Sequence, residues 1–392
     1  MATVKRKLND VIQYLLTWLC YGNKEAAARV AYTDDEKALE TYDVIIIPND
    51  CLGNRIVLPD LKDVVVEHPE KGKSIIRTDI LYNTFFFVSR AEETFNSQRD
   101  EHGRFAAKYS ILGQNNRLQI PLLDEYARLL LKCLDAPLPE PGFNRIYMTH
   151  DVDAITQYRH FRGCVGGIMR GEIEQVKEAF GDIHKDPLFT FPWMIRQDAK
   201  VANARTIYFI KNTKGKGFDA PQYNLNGNDY SYLEHMLLDS GAKLGLHSSY
   251  YGVLAPLTFN QTPYHRSHYL RCSINQLQRV SKAGLTDDFT MGFADCAGFR
   301  LQTTRAVQWI NPVSLTVMPI ILHPLIIMDT TLSNANYMNL SEDEAYFLCE
   351  RLIEKVKMHH GDLCLLWHNS SFVSGTYHKS LYPKIIELIN GK

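Results

Sequence analysis

No two cysteines stand in C-x-x-C spacing, although the chain holds eight. A structural zinc module is therefore not expected, and several of the cysteines sit inside apolar runs, as reduced buried thiols do. Charge of one sign is also lacking. The formal net charge is −1, so there is no global basic field to favour nucleic acid or an anionic membrane. A nucleophile elbow G-x-S-x-G is missing, as are glycine-rich dinucleotide fingerprints. The basic, glycine-containing stretch Lys211-Asn212-Thr213-Lys214-Gly215-Lys216-Gly217 lacks a G-K-[ST] ending, which excludes a Walker loop and leaves a solvated rim turn. Long apolar runs are absent too. The run from Val11 to Cys20 is broken by Gln13 and Thr17, is too short to span a bilayer and lacks a small-residue cleavage site. Its apolar positions have the spacing of an amphipathic helix. With neither a signal peptide nor a membrane span expected, the cytoplasm is the expected compartment.

What is present is ordinary globular composition, 45% hydrophobic and 22% charged, in a chain of 392 residues. That length suffices for two domains. Residues 1–140 read as a smaller α/β module, with strand-like runs at Tyr42–Pro48 and Asp63–Val66 and a strongly apolar core element at Leu81–Val88. The charged loop Asp100-Glu101-His102-Gly103-Arg104 reads as solvated. Asp124–Leu134 has helical spacing. The proline-rich Ala136–Gly142 is a rigid linker and the expected boundary.

Residues 141–392 change pattern to strands alternating with helices, which predicts a parallel sheet, open or closed into a barrel. Strands are expected at Arg145–Thr149, Thr206–Ile210, Lys243–Leu246, Leu315–Leu322 and Leu363–Trp367. Helices are expected at Tyr230–Leu238 and His265–Lys282, each followed by a glycine suited to a C-terminal cap. A further helix opens on the capping box Ser341–Glu344 and runs to His360. Four strands end in ionisable or hydrogen-bonding groups: His150-Asp151-Val152-Asp153, Lys211-Asn212, His247-Ser248-Ser249 and His368-Asn369-Ser370-Ser371. In α/β proteins sites form beyond the carboxyl ends of strands. Four such ends pointing the same way make a site. Asp151 and Asp153 alternate along an extended backbone, so they can share a pocket yet have their pKa values pushed apart.

Thr149-His150-Asp151-Val152-Asp153, Gly245-Leu246-His247-Ser248-Ser249, Gly298-Phe299-Arg300 and Leu363-x-Leu365-x-x-His368 occur in the order of the polysaccharide deacetylase (NodB-homology, carbohydrate esterase 4-like) superfamily, which residues 143–375 resemble. The preceding module resembles the domain of unknown function found ahead of a bacterial subgroup. The resemblance implies a distorted (β/α) barrel preceded by a smaller α/β domain. It also implies a divalent metal, commonly zinc, and removal of N-acetyl groups from the sugar units of a polysaccharide. Residue by residue, it implies Asp151 as general base, Asp153 and His247 as metal ligands, Arg300 as the arginine pairing with the base, and His368 as general acid.

One position departs from the family. The second motif usually has another histidine four residues after the first, and here Tyr251 stands there. Two ligands alone bind zinc much less securely than three. His268, in Tyr264-His265-Arg266-Ser267-His268, is the best replacement, with His265 one helical turn away on the same face, and His150 and His323 behind them. Tyr147, Tyr158, Tyr223, Tyr230, Tyr250, Tyr251, Trp193 and Trp367 are the aromatic candidates for a saccharide cleft. A non-catalytic glycan-binding or scaffolding barrel, and a hydrolase of a non-sugar C–N bond, stay open as alternatives.

Overall fold

The computed structural model describes residues 2–49, 61–211, 217, 223–251 and 262–391. Cys51, and Asn212 to Lys216 of the basic loop, lie outside them. Short runs rich in β-branched residues build two sheets. The smaller contains β1 (Val30–Tyr32), β2 (Val44–Ile46), β3 (Val66–Glu67) and β4 (Ser74–Ile76), in the order β1-β2-β4-β3. Only β3 runs antiparallel to its neighbour. The apolar run beyond it is a helix, Ile80–Ser89, whose first turn is capped by Asp79 accepting from the Tyr82 amide at 2.8 Å. It is apolar nearly all round, and most of it is buried accordingly.

The larger sheet has nine strands: β5 (Arg145–Val152), β6 (Ala204–Lys211), β7 (Lys243–Ser248), β8 (Tyr264–Ser267), β9 (Asp287–Met291), β10 (Val307–Asn311), β11 (Thr316–Pro324), β12 (Ile327–Met328) and β13 (Asp362–Leu366). Their order is β10-β11-β9-β8-β7-β6-β5-β13-β12, parallel throughout except for the β10–β11 pair. The sheet curls as a half-barrel, with β10 and β12 as its edges. Helices such as Phe191–Asp198, Asn228–Asp239 and Glu342–Met358 cover its outer face, the last opened by the Ser341–Glu344 capping box. Because both faces are covered, the central strands are buried from their second or third residue onward.

The expected helix from His265 to Lys282 is corrected. Its first part is strand β8, followed by a tight turn at His268–Leu270, and the helix begins only at Ile274 with Ser273 as its cap. The helical spacing between His265 and His268 therefore does not exist. Tyr-His-Arg-Ser has no apolar periodicity, yet its last three residues are buried. Their polar atoms are satisfied by neighbouring strands, as burial requires.

The two sheets do not have separate cores. One hydrophobic cluster runs from Val11, Leu15 and Leu19 of the first helix, through Phe86 and Phe87, to Leu277, Val280, Trp309, Ile320 and Leu322 of the larger sheet and its helices. Gly298 sits at this seam with φ +138°, and a Cβ there would lie 2.3 Å from the Leu118 carbonyl oxygen.

Candidate metal centre

Strand parity decides which side chains meet. Along β5, Met148, His150 and Val152 face the outer helices, while Tyr147, Thr149 and Asp151 face the concave side. His150 is thus removed from the site: its ring bonds the Trp367 carbonyl at 2.8 Å and Asp198 at 3.0 Å. His247 from β7, Arg266 from β8 and His368 just past β13 come to the concave side beside Asp151 and Asp153.

Asp153, His247 and His268 form a group whose ligand atoms all lie within 4.8 Å of one another, and it could hold a metal ion. His268 Nε2 is 3.1 Å and His247 Nε2 3.6 Å from Asp153 Oδ1. His247 Nδ1 donates to the Arg266 carbonyl at 3.2 Å, which fixes the tautomer and leaves the Nε2 lone pair facing inward. His247 Nε2 is buried without a hydrogen-bond partner among the described residues. Buried polar atoms are rarely left so. Two imidazole nitrogens and a carboxylate oxygen gathered this closely are a donor set that suits a divalent metal ion. The two histidines and the Lys211 ammonium, 3.4 Å away, surround the Asp153 carboxyl. Burial raises its pKa, but the contacts with His247 and His268 outweigh that and hold it well below the usual carboxylate range.

Next to this group stands an acid–base pair. Asp151 is buried, with Oδ1 3.0 Å from Arg266 Nη1 and Oδ2 4.0 Å from His368 Nε2. Burial alone would push its carboxyl up, yet His247, Arg266 and His368 together keep it ionised below its ordinary range. Arg266 is itself fully buried. It donates to Thr149 Oγ1 at 2.8 Å and to the Phe289 carbonyl at 3.0 Å, and its guanidinium lies 4.4 Å from the Phe209 ring centre. His368 Nδ1 bonds Asp329 Oδ1 at 2.9 Å, while Asp329 Oδ2 accepts from the His368 amide at 2.6 Å and from Ser371 Oγ. Burial lowers the pKa of His368, but Asp329, followed by Asp151 and Asp153, pushes it up to about 10. At neutral pH it is an imidazolium facing a carboxylate.

Arg300 does not reach this site. Its guanidinium pairs with Glu93 at 2.8 Å and donates to the Gly292 carbonyl, so the arginine beside Asp151 is Arg266 instead. The reason is chain direction: Gly298-Phe299-Arg300 turns at the seam of the two sheets, where Phe299 N donates to the Leu118 carbonyl. His265 is held between Asp288 and Ser248, and His323 bonds Asp287 while stacking on Phe289. Tyr251 is 60% exposed and lies edge-on to Tyr250. Arg266 and Asp329 were not legible as site residues, although Asp329 ends the apolar run Leu325–Met328, the same pattern that marks Asp151.

The centre opens into a cleft of about 600 Å3, lined by Asp151, Asp153, His268 and His368, by Tyr269 and Tyr337, and by Glu101, His102 and Arg104 of the N-terminal charged loop. That loop is a wall of the site and not a solvated turn. Most of the aromatic residues expected there are elsewhere: Tyr147 and Trp367 are core, and the Tyr223 hydroxyl bridges the Lys211 amide and the Val152 carbonyl behind the cleft.

Residues 3–139 match the model of a family of unknown function, DUF7033. No curated protein matches. Among solved structures, the chain is similar to one described as a "putative polysaccharide deacetylase" from Mycobacterium smegmatis. They share 11% identity at a TM-score of 0.40, with 64% of this chain and 88% of that chain covered.

Proposed function

We propose that this protein is a divalent-metal-dependent hydrolase that removes N-acetyl groups from sugar units of a polysaccharide or its precursor. The observation that carries this reading is the convergence, in one cleft, of a possible metal-ligand trio, its His247 Nε2 buried without a partner among the described residues, and an ionised Asp151 facing a cationic His368. Asp153, His247 and His268 would hold the ion. Once bound, it would polarise the amide carbonyl and lower the pKa of a coordinated water. Asp151, oriented by Arg266, accepts a proton from the attacking water. His368 gives its proton to the departing amine, and the Asp329 carboxylate keeps that proton on the ring until it is needed. Tyr269 and Tyr337 supply aromatic faces suited to the C–H edges of a sugar ring.

The resemblance of residues 143–375 to polysaccharide deacetylases points to the same chemistry, with His268 taking the place of the histidine that Tyr251 lacks. A binding-only barrel has no use for an acid and a base 4.0 Å apart. The test is release of acetate from a panel of N-acetylated oligosaccharides, set against cyclic amides as non-sugar C–N substrates, with Asp151→Asn as control. Acetate from the sugars only, reduced at least ~100-fold in the variant, is the expected result. Turnover of the cyclic amides alone, or of neither class, overturns the assignment.

A further inference from the structure

The strand that delivers Arg266 also delivers His268, and the backbone just after it is strained. Tyr269 and Leu270 follow with φ of +59° and +54°, two consecutive left-handed residues that are not glycine. Such a conformation is costly for a residue with a side chain and persists only where the surroundings hold it. The surroundings here come from the N-terminal module. Its turn at residues 100–104 is built around Asp100, whose Oδ1 accepts the amides of His102 and Arg104 at 3.0 and 2.8 Å. Arg104 is buried, and its planar fork points in three fixed directions: Nε to Asp100 at 2.7 Å, Nη2 to the Tyr337 hydroxyl at 2.9 Å, and Nη1 to the Tyr269 carbonyl at 3.4 Å. The His102 ring packs on Tyr269 at 4.8 Å, and Tyr250 Oη donates to the His102 carbonyl at 3.1 Å. At the far end of the strained segment the Arg271 guanidinium lies against Gly103, where a Cβ would be 3.1 Å from Nε. The turn thus clamps residues 269–271, directly after His268, at both ends.

We infer that Arg104 is a positioning residue of the metal centre: it fixes the Tyr269 carbonyl and, through it, the direction of the His268 ring. The N-terminal module is thereby part of the catalytic apparatus. This inference rests on Asp153, His247 and His268 holding a divalent ion. A lysine cannot replace Arg104, because an ammonium on a flexible stem does not satisfy three planar directions at once.

The test uses full-length, metal-stripped protein titrated with Co2+ alone, followed by calorimetry and by the visible ligand-field spectrum, with thermal unfolding of each apo form. Wild type should bind one equivalent. Arg104→Gln and Arg104→Lys should bind ~10–100-fold more weakly with altered ligand-field bands, the loss typical when a ligand's supporting contacts are removed. Tyr337→Phe removes one anchor of the fork and should fall between. Wild-type affinity and spectrum in a folded Arg104→Gln overturn the inference while the metal centre stands. Should that variant not fold, wild-type affinity in Tyr337→Phe overturns it equally. Wild type that takes up no cobalt overturns both the inference and the metal centre beneath it.

Discussion

At the scale of single residues, the proposed chemistry hangs on His368 and the carboxylate behind it. A histidine whose folded pKa is raised contributes stability that is fully present below its unfolded value, ~6.5, and lost as pH rises through the folded value of about 10. The same window governs its use as an acid. The alkaline limb of kcat should therefore lie well above the ordinary imidazole value of ~6.5, and the acid limb, set by Asp151, below the usual carboxylate range. Asp329→Asn removes the largest influence raising the imidazolium. It should move the alkaline limb down by more than a unit toward ~6.5, with kcat at pH 8 falling ~10-fold or more. A pH–rate profile of the two proteins checks this, and an unmoved alkaline limb would assign the proton to another group. Arg266 shows the opposite economy of placement: a fully buried cation is tolerable because Asp151, Thr149 and the Phe289 carbonyl all face it.

At the scale of elements, the seam at Gly298 is the sharpest case. With φ +138° and the Leu118 carbonyl 2.3 Å from where a Cβ would stand, no other residue fits there unstrained. Gly298→Ala should lower stability by at least ~2 kcal/mol, read from chemical denaturation, while kcat of the folded fraction stays near wild type. Gly298-Phe299-Arg300 is thus a joint between the sheets, and this explains why a motif match misplaced Arg300. Strands with apolar runs were legible: β5, β6, β7, β11 and β13 lie where alternating apolar runs and terminal ionisable groups put them. Strand β8 was not, because a buried strand of Tyr, His, Arg and Ser carries no hydrophobic period, and β9, opening on two aspartates, hides in the same way. Asp151, Asp153, His247 and His368 of the candidate site could be read from strand ends and motif order, and His268 only as a replacement for the histidine that Tyr251 displaces. Arg266, Asp329 and the wall from the N-terminal loop could not, since each depends on which strands become neighbours across more than a hundred residues or on a partner in a distant loop.

For the whole molecule, the shared core has a direct consequence. The face formed by Leu277, Val280, Trp309, Ile320 and Leu322 is covered by the first 140 residues, including Val11, Leu15, Leu19 and Phe86. A fragment of residues 141–392 uncovers that face, and a contiguous exposed apolar face favours association. It should aggregate or melt well below the intact chain, and co-expression with residues 1–140 should restore solubility. A monomeric fragment with an unchanged Tm would show that the cores are independent after all. Everything proposed for the site requires that Asp153, His247 and His268, carried at the ends of β5, β7 and β8, converge on one ion. Metal content by mass spectrometry of untagged protein tests it most directly, on wild type beside Asp153→Ala, His247→Ala and His268→Ala. One equivalent of a divalent ion in wild type, lost in all three variants, is the predicted result. No bound metal in wild type after incubation with zinc, cobalt or nickel, or full occupancy retained by His268→Ala, would contradict it.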